Sequence, residues 1–491
     1  MFNFDFSQLL SINNLFAILF GSLFGMMIGA LPGLGAAVGA AMLLPITYTM
    51  EPLPAVLLLI ALYQGAEYGG SIASIVIGVP GTGGAVATML DGTPLAKGGY
   101  PGKALGYSLT ASSIGGIIGV VLLMTLTGPL TKVAIKLSDP EMLLIGLIGL
   151  LSVTALGSGD VWKSVLSIVL GLFMGTVGID VFTGSKRYTF GSLYLTDGIS
   201  LVAMLAGLFA LCEVLSMVMG NLNQHYVTDT KNLKTRISWK EFLDVKWTIL
   251  RSGLIGTIFG IVPGLGAGPA SWFAYTTTKN SSKQPESFGK GNPHGICAPE
   301  AANNGCVGGA LIPLISLGIP GSSTIAIVSS ALVMQGINPG PQVMQTNTQL
   351  VYGIYWGLLI ATIAMYFLGK FTTSLWARLL VCPNYVLVPI VTIAAFIGAY
   401  AVRGFFIDVW FAVAAAAIFF ILKRIDFSAP AFILAFVLAS LVERSFRRSL
   451  MLGRGSFLIF FTRPACWILW ALLAVMIVSM ILRRRKARSS R

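Results

Sequence analysis

The chain has 491 residues, of which 55% are hydrophobic and only 10% are charged, and its formal net charge is +14. A soluble protein of this length needs a far more polar surface, so the composition excludes a water-soluble globular protein. In a membrane protein, an excess of Lys and Arg is typical of short cytoplasmic loops, so we expect no nucleic-acid partner.

Apolar runs close to the membrane-spanning length recur along the chain. They cover 104–127, 142–156, 160–179, 199–219, 246–262, 349–369, 384–401, 405–422, 426–442 and 465–482. Because the runs are continuous, they predict an all-α polytopic membrane protein with about ten to twelve crossings rather than an outer-membrane barrel.

Basic segments predict the orientation. The segments 231–246 and 483–491 are dense in Lys and Arg, so we expect both, and with them the C-terminus, to be cytoplasmic. The basic segment 443–464 is one span away from the tail. It therefore lies outside or folds back into the protein.

Catalytic and metal motifs are missing from the sequence. Its five cysteines form no CxxC pair, its two histidines are His225 and His294, and no GxxxxGK[ST] phosphate-binding loop occurs. We therefore expect a protein that is not an enzyme and has no resident cofactor.

Two motifs occur twice, in the same order. "GALPGLGAA" at 29–37 matches "GIVPGLGAG" at 260–268, and "GVPGTGG" at 78–84 matches "GIPGSST" at 318–324. The pattern predicts two homologous repeats. Residues 1–230 form the first repeat with its following spans, 231–246 a basic loop, and 247–491 the second repeat with its following spans and the tail. Two such repeats in membrane proteins are often inverted, as in secondary transporters, and we expect the same orientation here.

The Pro-Gly motifs predict broken helices. Proline removes a backbone donor, and unpaired backbone groups cost several kcal/mol in lipid unless protein or a polar cavity surrounds them. Paired breaks in two repeats are typical of a midplane transport site, where half-helix N-termini face an anion and free carbonyls hold a cation. We expect 32–35, 81–84, 263–266 and 321–324 to be non-helical and to converge on one cavity. The accompanying GxxxG pairs favour tight helix packing.

Longer stretches of the chain resemble a known family. They are "GALPGLGAA", "YGGSIASIVIGVPGTGGAVATMLDGTPLAKGGYPGKALG", "APEAANNG", "GALIPLISLGIPGSS" and "RSLMLGRGSFLIFFTRP". These resemble the large membrane subunit of the tripartite tricarboxylate transporter family, the TctA type. The resemblance implies sodium-coupled uptake of a tricarboxylate or dicarboxylate, such as citrate, across the bacterial inner membrane. It also implies a small membrane subunit and a periplasmic solute-binding protein as partners.

Candidate site residues follow from the breaks and from nearby polar groups. The substrate candidates are Gly81, Thr82, Gly83, Asn303, Asn304, Gly321, Ser322, Ser323 and Thr324. The sodium candidates are Gly33, Gly35, Gly264 and Gly266, with Asn303 as an amide-oxygen ligand. Helix capping is the alternative role for the Ser, Thr and Asn residues.

Three acidic residues near the breaks are further candidates, because an intramembrane acid predicts an ion or proton site. They are Glu67, Asp91 and Glu300. The alternatives are a turn for Asp91, a helix cap for Glu300 and a polar pairing for Glu67. Two other functions stay open, a passive carboxylate channel and a non-transporting membrane-anchor subunit.

Overall fold

The computed structural model describes residues 4–31, 34–156, 161–220, 235–379, 384–401, 403–425 and 427–489. The helices of the first half are α1 (Phe6–Leu9), α2 (Ile12–Ala30), α3 (Gly35–Thr47), α4 (Pro52–Val76), α5 (Val86–Lys97), α6 (Pro101–Ala134), α7 (Asp139–Leu156), α8 (Val161–Met174), α9 (Leu201–Leu205) and α10 (Cys212–Met219). A 3-10 turn, Gly83–Ala85, leads into α5. A π-helical segment, Ala206–Leu211, joins α9 to α10.

The second half continues in the same way. Its helices are α11 (Trp239–Ile261), α12 (Ala267–Asn280), α13 (Pro293–Leu317), α14 (Ser323–Met334), α15 (Val343–Thr346), α16 (Thr348–Leu379), α17 (Asn384–Ala401), α18 (Phe406–Lys423), α19 (Ala429–Leu452), α20 (Ile459–Thr462) and α21 (Pro464–Ser489). A 3-10 turn, Pro285–Ser287, lies between α12 and α13. The described strands are β1 (Gly178–Ile179) and β2 (Lys186–Arg187), an antiparallel pair.

Seven helices in the described part of the chain are long and apolar enough to cross a membrane. They are Ile12–Ala30, Pro52–Val76, Pro101–Ala134, Leu201–Met219, Thr348–Thr373, Phe406–Lys423 and Ala429–Leu452. The prediction of an all-α polytopic membrane protein is confirmed. Shorter apolar helices, such as Gly35–Thr47 and Ser323–Met334, accompany these spans.

One predicted loop is partly helical. Residues 231–234 lie outside the described residues, but 239–246 form the first two turns of α11. The reason is a capping box. The Ser238 hydroxyl accepts from the backbone N–H of Glu241, and the Glu241 carboxylate accepts from the backbone N–H of Ser238 at 2.7 Å.

Glycines bring α2 and α4 into close contact. A Cβ added to Gly25 would lie 2.2 Å from the carbonyl oxygen of Leu62, and one added to Gly29 would lie 2.1 Å from that of Ala66. Only glycine fits at such a distance. The contact moves from Leu62 to Ala66 along α4 as it moves from Gly25 to Gly29 along α2, so the two helices run parallel.

The same contacts occur between α11 and α13. A Cβ on Gly256 would lie 2.0 Å from the carbonyl oxygen of Ala302, and one on Gly260 would lie 2.5 Å from that of Cys306. These glycines follow Gly25 and Gly29 by 231 positions in the sequence, so the motif match extends to contact geometry.

Helices α4 and α13 cross in opposite directions. The Asn303 amide donates to the carbonyl oxygen of Glu67 at 3.1 Å, and the Asn304 amide donates to that of Gln64 at 2.9 Å. The residue number rises along α13 as it falls along α4, so these two helices are antiparallel.

Two faces of the molecule can be distinguished by chain direction. The hairpin face carries β1 and β2, and α19 ends there, where Arg447 donates to Asp180 at 2.6 Å. The tail face lies opposite. It carries the start of α19, the end of α21 and the end of α18, where Lys423 pairs with Glu213 of α10 at 3.0 Å.

Candidate functional site

A cavity of about 590 Å³ lies where the broken elements of the two halves meet. We call it the tip cavity. Its lining from the breaks is 34–38, 80–83, Ser323 and Thr324, together with Glu67 of α4. Leu208, Phe209, Cys212, Glu213, Phe419, Lys423 and residues 427–430 complete the wall toward the tail face.

Three helices begin at the tip cavity. They are α3 at Gly35, α5 through its preceding 3-10 turn at Gly83, and α14 at Ser323. The first N–H groups of a helix have no intrahelical partner, and the helix dipole makes this end positive. The cavity therefore offers backbone donors to an anion without a buried basic side chain.

Close backbone packing holds the breaks in place. The Gly81 N–H donates to the carbonyl oxygen of Gly70 at 3.2 Å, and a Cβ on Gly81 would lie 2.0 Å from the carbonyl oxygen of Gly29. In the second half the Gly321 N–H donates to the carbonyl oxygen of Ala310, also at 3.2 Å. Gly321 is packed behind the cavity wall and does not line it.

Three buried oxygens beside the cavity lack hydrogen-bond partners among the described residues. They are Oε2 of Glu67, Oγ1 of Thr82 and Oδ1 of Asn303. The Glu67 side chain faces those of Thr82 and Asn303, and no well-formed hydrogen bond joins the three oxygens. Since Asn303 donates its amide N–H to the Glu67 carbonyl, its oxygen remains free to act as a ligand.

Asn304 occupies a different environment from its neighbour. Its amide donates to the carbonyl oxygen of Gln64 and lies 3.7 Å from the sulfur of Met365, so it packs between α4 and α16. Like Asn303, it does not line the tip cavity, and its Oδ1 also lacks a hydrogen-bond partner among the described residues. The structure therefore places Asn303 against Glu67, behind the cavity lining, and Asn304 in the interface of α4 and α16.

Glu300 is enclosed by hydroxyl groups from three other helices. Its carboxylate accepts from Ser71 of α4, from Thr88 of α5 at 2.5 Å, and from Ser108 and Ser112 of α6 at 2.9 and 2.8 Å. Glu300 is fully buried and does not line the tip cavity. All four hydroxyls can donate, so this acid joins four helices.

Asp91 also joins two segments. Its Oδ1 accepts four backbone N–H groups, from residues 289–292, at 2.7–3.1 Å. Its Oδ2 accepts from the hydroxyl of Tyr275 at 2.9 Å. Asp91 lies within α5 rather than in a turn, and it fixes the loop between α12 and α13.

The four predicted breaks differ from one another. Pro32 and Gly33 lie outside the described residues. The 263–266 turn is non-helical but does not line the tip cavity, and the Gly264 N–H donates to the carbonyl oxygen of Gly321 at 2.9 Å. Gly264 and Gly266 have φ of +82° and +66°, where glycine is favoured.

Two predicted non-helical stretches are partly helical. Ser323 and Thr324 form the first turn of α14, and Ser322 is its N-cap, accepting from the N–H of Ile325 at 3.2 Å. Gly83 and Gly84 belong to the 3-10 turn that leads into α5. In both places the helix restarts immediately after the Pro-Gly pair, because a capping hydroxyl or a 3-10 turn satisfies its first N–H groups.

The wall made by α10 and α18 was not predicted from the sequence. Glu213 and Lys423 face each other there, and the Lys423 side chain is 56% exposed at the cavity mouth. The sequence feature that could have indicated this wall is Lys423, a lone basic residue at the end of the apolar run 405–422. No sequence pattern marked the π-helical segment 206–211, although such segments often occur at functional sites.

Comparisons with known proteins identify relatives over most of the chain. Residues 15–434 match the family described as "Tripartite tricarboxylate transporter TctA family". An "Uncharacterized 52.8 kDa protein in TAR-I ttuC' 3'region" of Agrobacterium vitis is 34% identical over 442 residues, 90% of this chain and 88% of the relative. An "Uncharacterized protein in TAR-II ttuC' 3'region" of the same organism is 34% identical over 209 residues, 43% of this chain and 86% of the relative. No solved structure gives a significant match.

Proposed function

This chain belongs to the tripartite tricarboxylate transporter TctA family, and we propose that it carries a tricarboxylate or dicarboxylate through the tip cavity together with sodium. As a member of this family it is a membrane component of a transporter and not an enzyme. The observation that carries the proposal is the convergence of three unpartnered buried oxygens beside helix N-termini.

The oxygens of Glu67, Thr82 and Asn303 form the proposed cation site. A carboxylate, a hydroxyl and an amide oxygen are the ligands that a hard cation takes. Their exposed fractions are 6%, 9% and 0%, and buried acceptors without donors are costly unless something binds them. A bound sodium ion satisfies all three and neutralises the Glu67 charge.

The first turns of α14 and α5 form the proposed anion site. Ser323 and Thr324 offer backbone N–H groups and hydroxyls, and Gly83 offers its backbone N–H from the opposite half. A sodium ion at Glu67 would strengthen carboxylate binding by removing a like charge from the same cavity. This arrangement couples the two ligands, since each improves the site for the other.

The two halves are proposed to be inverted repeats. The support is the repeated glycine contact of α2 with α4 and of α11 with α13, together with the antiparallel crossing of α4 and α13. Corresponding helices that run in opposite directions require a two-fold axis in the membrane plane. Such an axis places the breaks of both halves at the bilayer midplane.

The tail face is proposed to be cytoplasmic, in the bacterial inner membrane. The described parts of the two basic segments, 235–246 and 483–489, lie with Lys423 on this face, in agreement with the positive-inside rule. The hairpin face is then periplasmic. It is the side on which a periplasmic solute-binding protein would deliver substrate, while the small membrane subunit would share the bilayer.

Uptake into proteoliposomes tests the proposal. Radiolabelled citrate and succinate are offered with the cognate binding protein and small subunit, under an inward sodium gradient or an inward proton gradient of equal size. We expect accumulation that requires the sodium gradient and is lost in Glu67→Gln. Glu213→Gln, at the cavity mouth, is the matched control and should retain sodium dependence.

The outcomes separate the alternatives. Accumulation driven by protons alone would assign Glu67 to proton transfer rather than sodium binding. Equilibration without accumulation would indicate the passive channel. Complete lack of flux in an assembled, correctly folded complex would indicate the membrane-anchor role.

A further inference from the structure

A second cavity, of about 750 Å³, lies on the hairpin face. We call it the hairpin-face cavity. Much of its lining is polar, and the side chains that matter here are Ser329 and Ser330 of α14, Asn338, Gln342, Arg403 and Arg444. The proposed transport function does not use any of these residues.

The two cavities share three helical segments. Helix α14 contributes Ser323 to the tip cavity and Ser329 to the hairpin-face cavity, and α19 contributes Pro430 to the first and Phe436 to the second. The helix from 201 to 219 lines the hairpin-face cavity at Val202 and the tip cavity from Leu208 onward. At 1.5 Å per residue, six residues separate the linings by only about 9 Å.

The Phe432 ring contacts one aromatic residue from the lining of each cavity. Phe432 is 2% exposed, and its ring centroid lies 4.6 Å from that of Phe419, which lines the tip cavity. On its other side it stacks on Phe436, which lines the hairpin-face cavity, at 6.3 Å. The Phe432 ring therefore lies between a residue that lines the tip cavity and a residue that lines the hairpin-face cavity.

Arg444 supplies an available positive charge in the hairpin-face cavity. Its Nε donates to the carbonyl oxygen of Ser440 at 3.1 Å, and no acid pairs with it among the described residues. Arg403, in contrast, is paired with the buried carboxylate of Asp408, and the exposed acid of the lining, Asp197, interacts with Arg403. The two Nη groups of Arg444 can therefore bind one carboxylate in bidentate fashion.

We propose that the hairpin-face cavity is a carboxylate-binding vestibule, in which Arg444 binds the substrate before it passes Phe432 to the tip cavity. The inference rests on the proposed transport function and assigns its first binding step. The ligand class is a small dicarboxylate or tricarboxylate anion. The hydroxyls and amides of the lining serve its remaining oxygens.

Thiol labelling of Ser440→Cys tests the vestibule without measuring transport. Ser440 is exposed in the cavity, and its backbone contact to Arg444 survives the substitution. In a Cys212→Ala background, the purified protein is reacted with an anionic or a cationic methanethiosulfonate. We expect the anionic reagent to react faster and excess citrate to slow it. In Arg444→Gln, the ratio of the two rates should fall about tenfold, and protection by citrate should disappear.

Arg448→Gln is the matched control, because Arg448 lies one turn further along α19 and does not line the cavity. It should keep both the rate ratio and the protection. Arg444→Lys should keep the rate ratio and lose part of the protection, since lysine cannot bind a carboxylate in bidentate fashion. Equal rates for the two reagents in the parent, or citrate protection that persists in Arg444→Gln, would overturn the vestibule.

The labelling is repeated in Glu67→Gln to separate this inference from the transport proposal. Citrate protection should persist there, since Glu67 lies in the tip cavity. Protection in a chain that never accumulates citrate would leave the vestibule intact and remove the transport proposal. Citrate accumulation without citrate protection at Ser440→Cys would support the transport proposal and overturn the vestibule.

Discussion

The adjacent residues Asn303 and Asn304 have different roles, because α13 is buried on all sides. Asn303 and Asn304 are adjacent, both fully buried, and both donate to a carbonyl oxygen of α4. Only the Asn303 side chain faces that of Glu67, which lines the tip cavity. On a helix, consecutive side chains point about 100° apart, so one residue serves the cavity while the next serves the helix interface.

Alanine at each position should separate these tasks. We expect Asn303→Ala to raise the sodium concentration for half-maximal uptake at least tenfold, since a lost interaction with a charged ligand costs about 1.5–3 kcal/mol. Asn304→Ala should leave that concentration unchanged and lower the melting temperature. The measurement is a sodium titration of citrate uptake beside thermal unfolding in detergent. Equal sodium affinities in both variants would show that Asn303 has a structural role and does not bind sodium.

Asp180 is a residue outside the membrane-spanning segments whose charge is strongly stabilised. The hydrogen bond from Arg447 holds the pKa of Asp180 well below its usual range, with help from the backbone N–H groups of Phe182 and Thr183. A carboxylate with a lowered folded pKa stabilises the hairpin above the ordinary pKa of Asp, near 3.9. That stabilisation is lost as the pH falls through the folded pKa.

The hairpin should therefore stay protected from pH 8 to pH 5 and open only in stronger acid. Hydrogen exchange at 178–187, corrected for the intrinsic rate, measures this. In Asp180→Asn we expect weaker protection at neutral pH and no further loss on acidification. Opening of the parent hairpin already between pH 7 and pH 5 would contradict the assignment.

At the scale of elements, rows of glycines on α2 and α11 determine how closely these helices pack against α4 and α13. A Cβ at Gly25 or Gly256 would meet a backbone carbonyl oxygen at 2.2 or 2.0 Å, and backbone cannot move aside as a side chain can. The two pairs of helices therefore approach each other with the same geometry, despite different side chains around them.

Alanine should be equally harmful at both positions. We expect Gly25→Ala and Gly256→Ala each to destabilise the protein by about 1–3 kcal/mol, as overpacking does. Gly128→Ala in α6 is the control, because nothing lies within 4 Å of its added Cβ and alanine favours a helix. Thermal unfolding of the three purified variants decides the matter. A lowered melting temperature in only one of Gly25→Ala and Gly256→Ala would argue against equivalent packing of the two helix pairs.

Structural features that depend on nearby residues were easier to predict from the sequence than those that depend on distant ones. The Pro-Gly breaks at 80–83 and 320–322 were predictable, because proline and glycine act within a few residues of themselves. The extent of each break was not, since the 3-10 turn and the Ser322 cap restart the helices at once. The start of α11 was missed although its capping box is local, because the basic charges around it suggested a loop.

The candidate site was predictable only in part, for a related reason. Thr82, Ser323 and Glu67 were identified because they lie near the breaks, and they do line one cavity. The roles of Asp91 and Glu300 depend on partners about 200 residues away in the chain, which no local pattern shows. The cavity wall formed by Glu213 and Lys423 depends in the same way on the pairing of two distant helices.

At the scale of the molecule, neither half contains a complete site. The tip cavity takes Glu67 and Thr82 from one half and Ser323 and Thr324 from the other. The carboxylate of Glu300 belongs to the second half, and all four of its hydroxyl partners belong to the first. The halves therefore fold as one body.

A chain divided between α10 and α11 tests this dependence. We expect neither fragment to accumulate alone, and the two together to assemble into a complex that takes up citrate. Introducing Glu300→Ala into the second fragment should abolish assembly, because four buried hydroxyls would lose their acceptor at once. Copurification of differently tagged fragments from detergent extracts measures it. Stable accumulation of either fragment by itself would refute the dependence.

The hydroxyl cluster around Glu300 also imposes an order on biosynthesis. Ser112 precedes Glu300 by 188 residues, and Ser71 precedes it by 229. At about 5–20 residues per second, the ribosome makes these hydroxyl residues roughly 10–45 s before it makes Glu300. During that interval α4, α5 and α6 stand in the translocon or the bilayer without their central acceptor. The first half therefore cannot complete its packing around this cluster until α13 has been made.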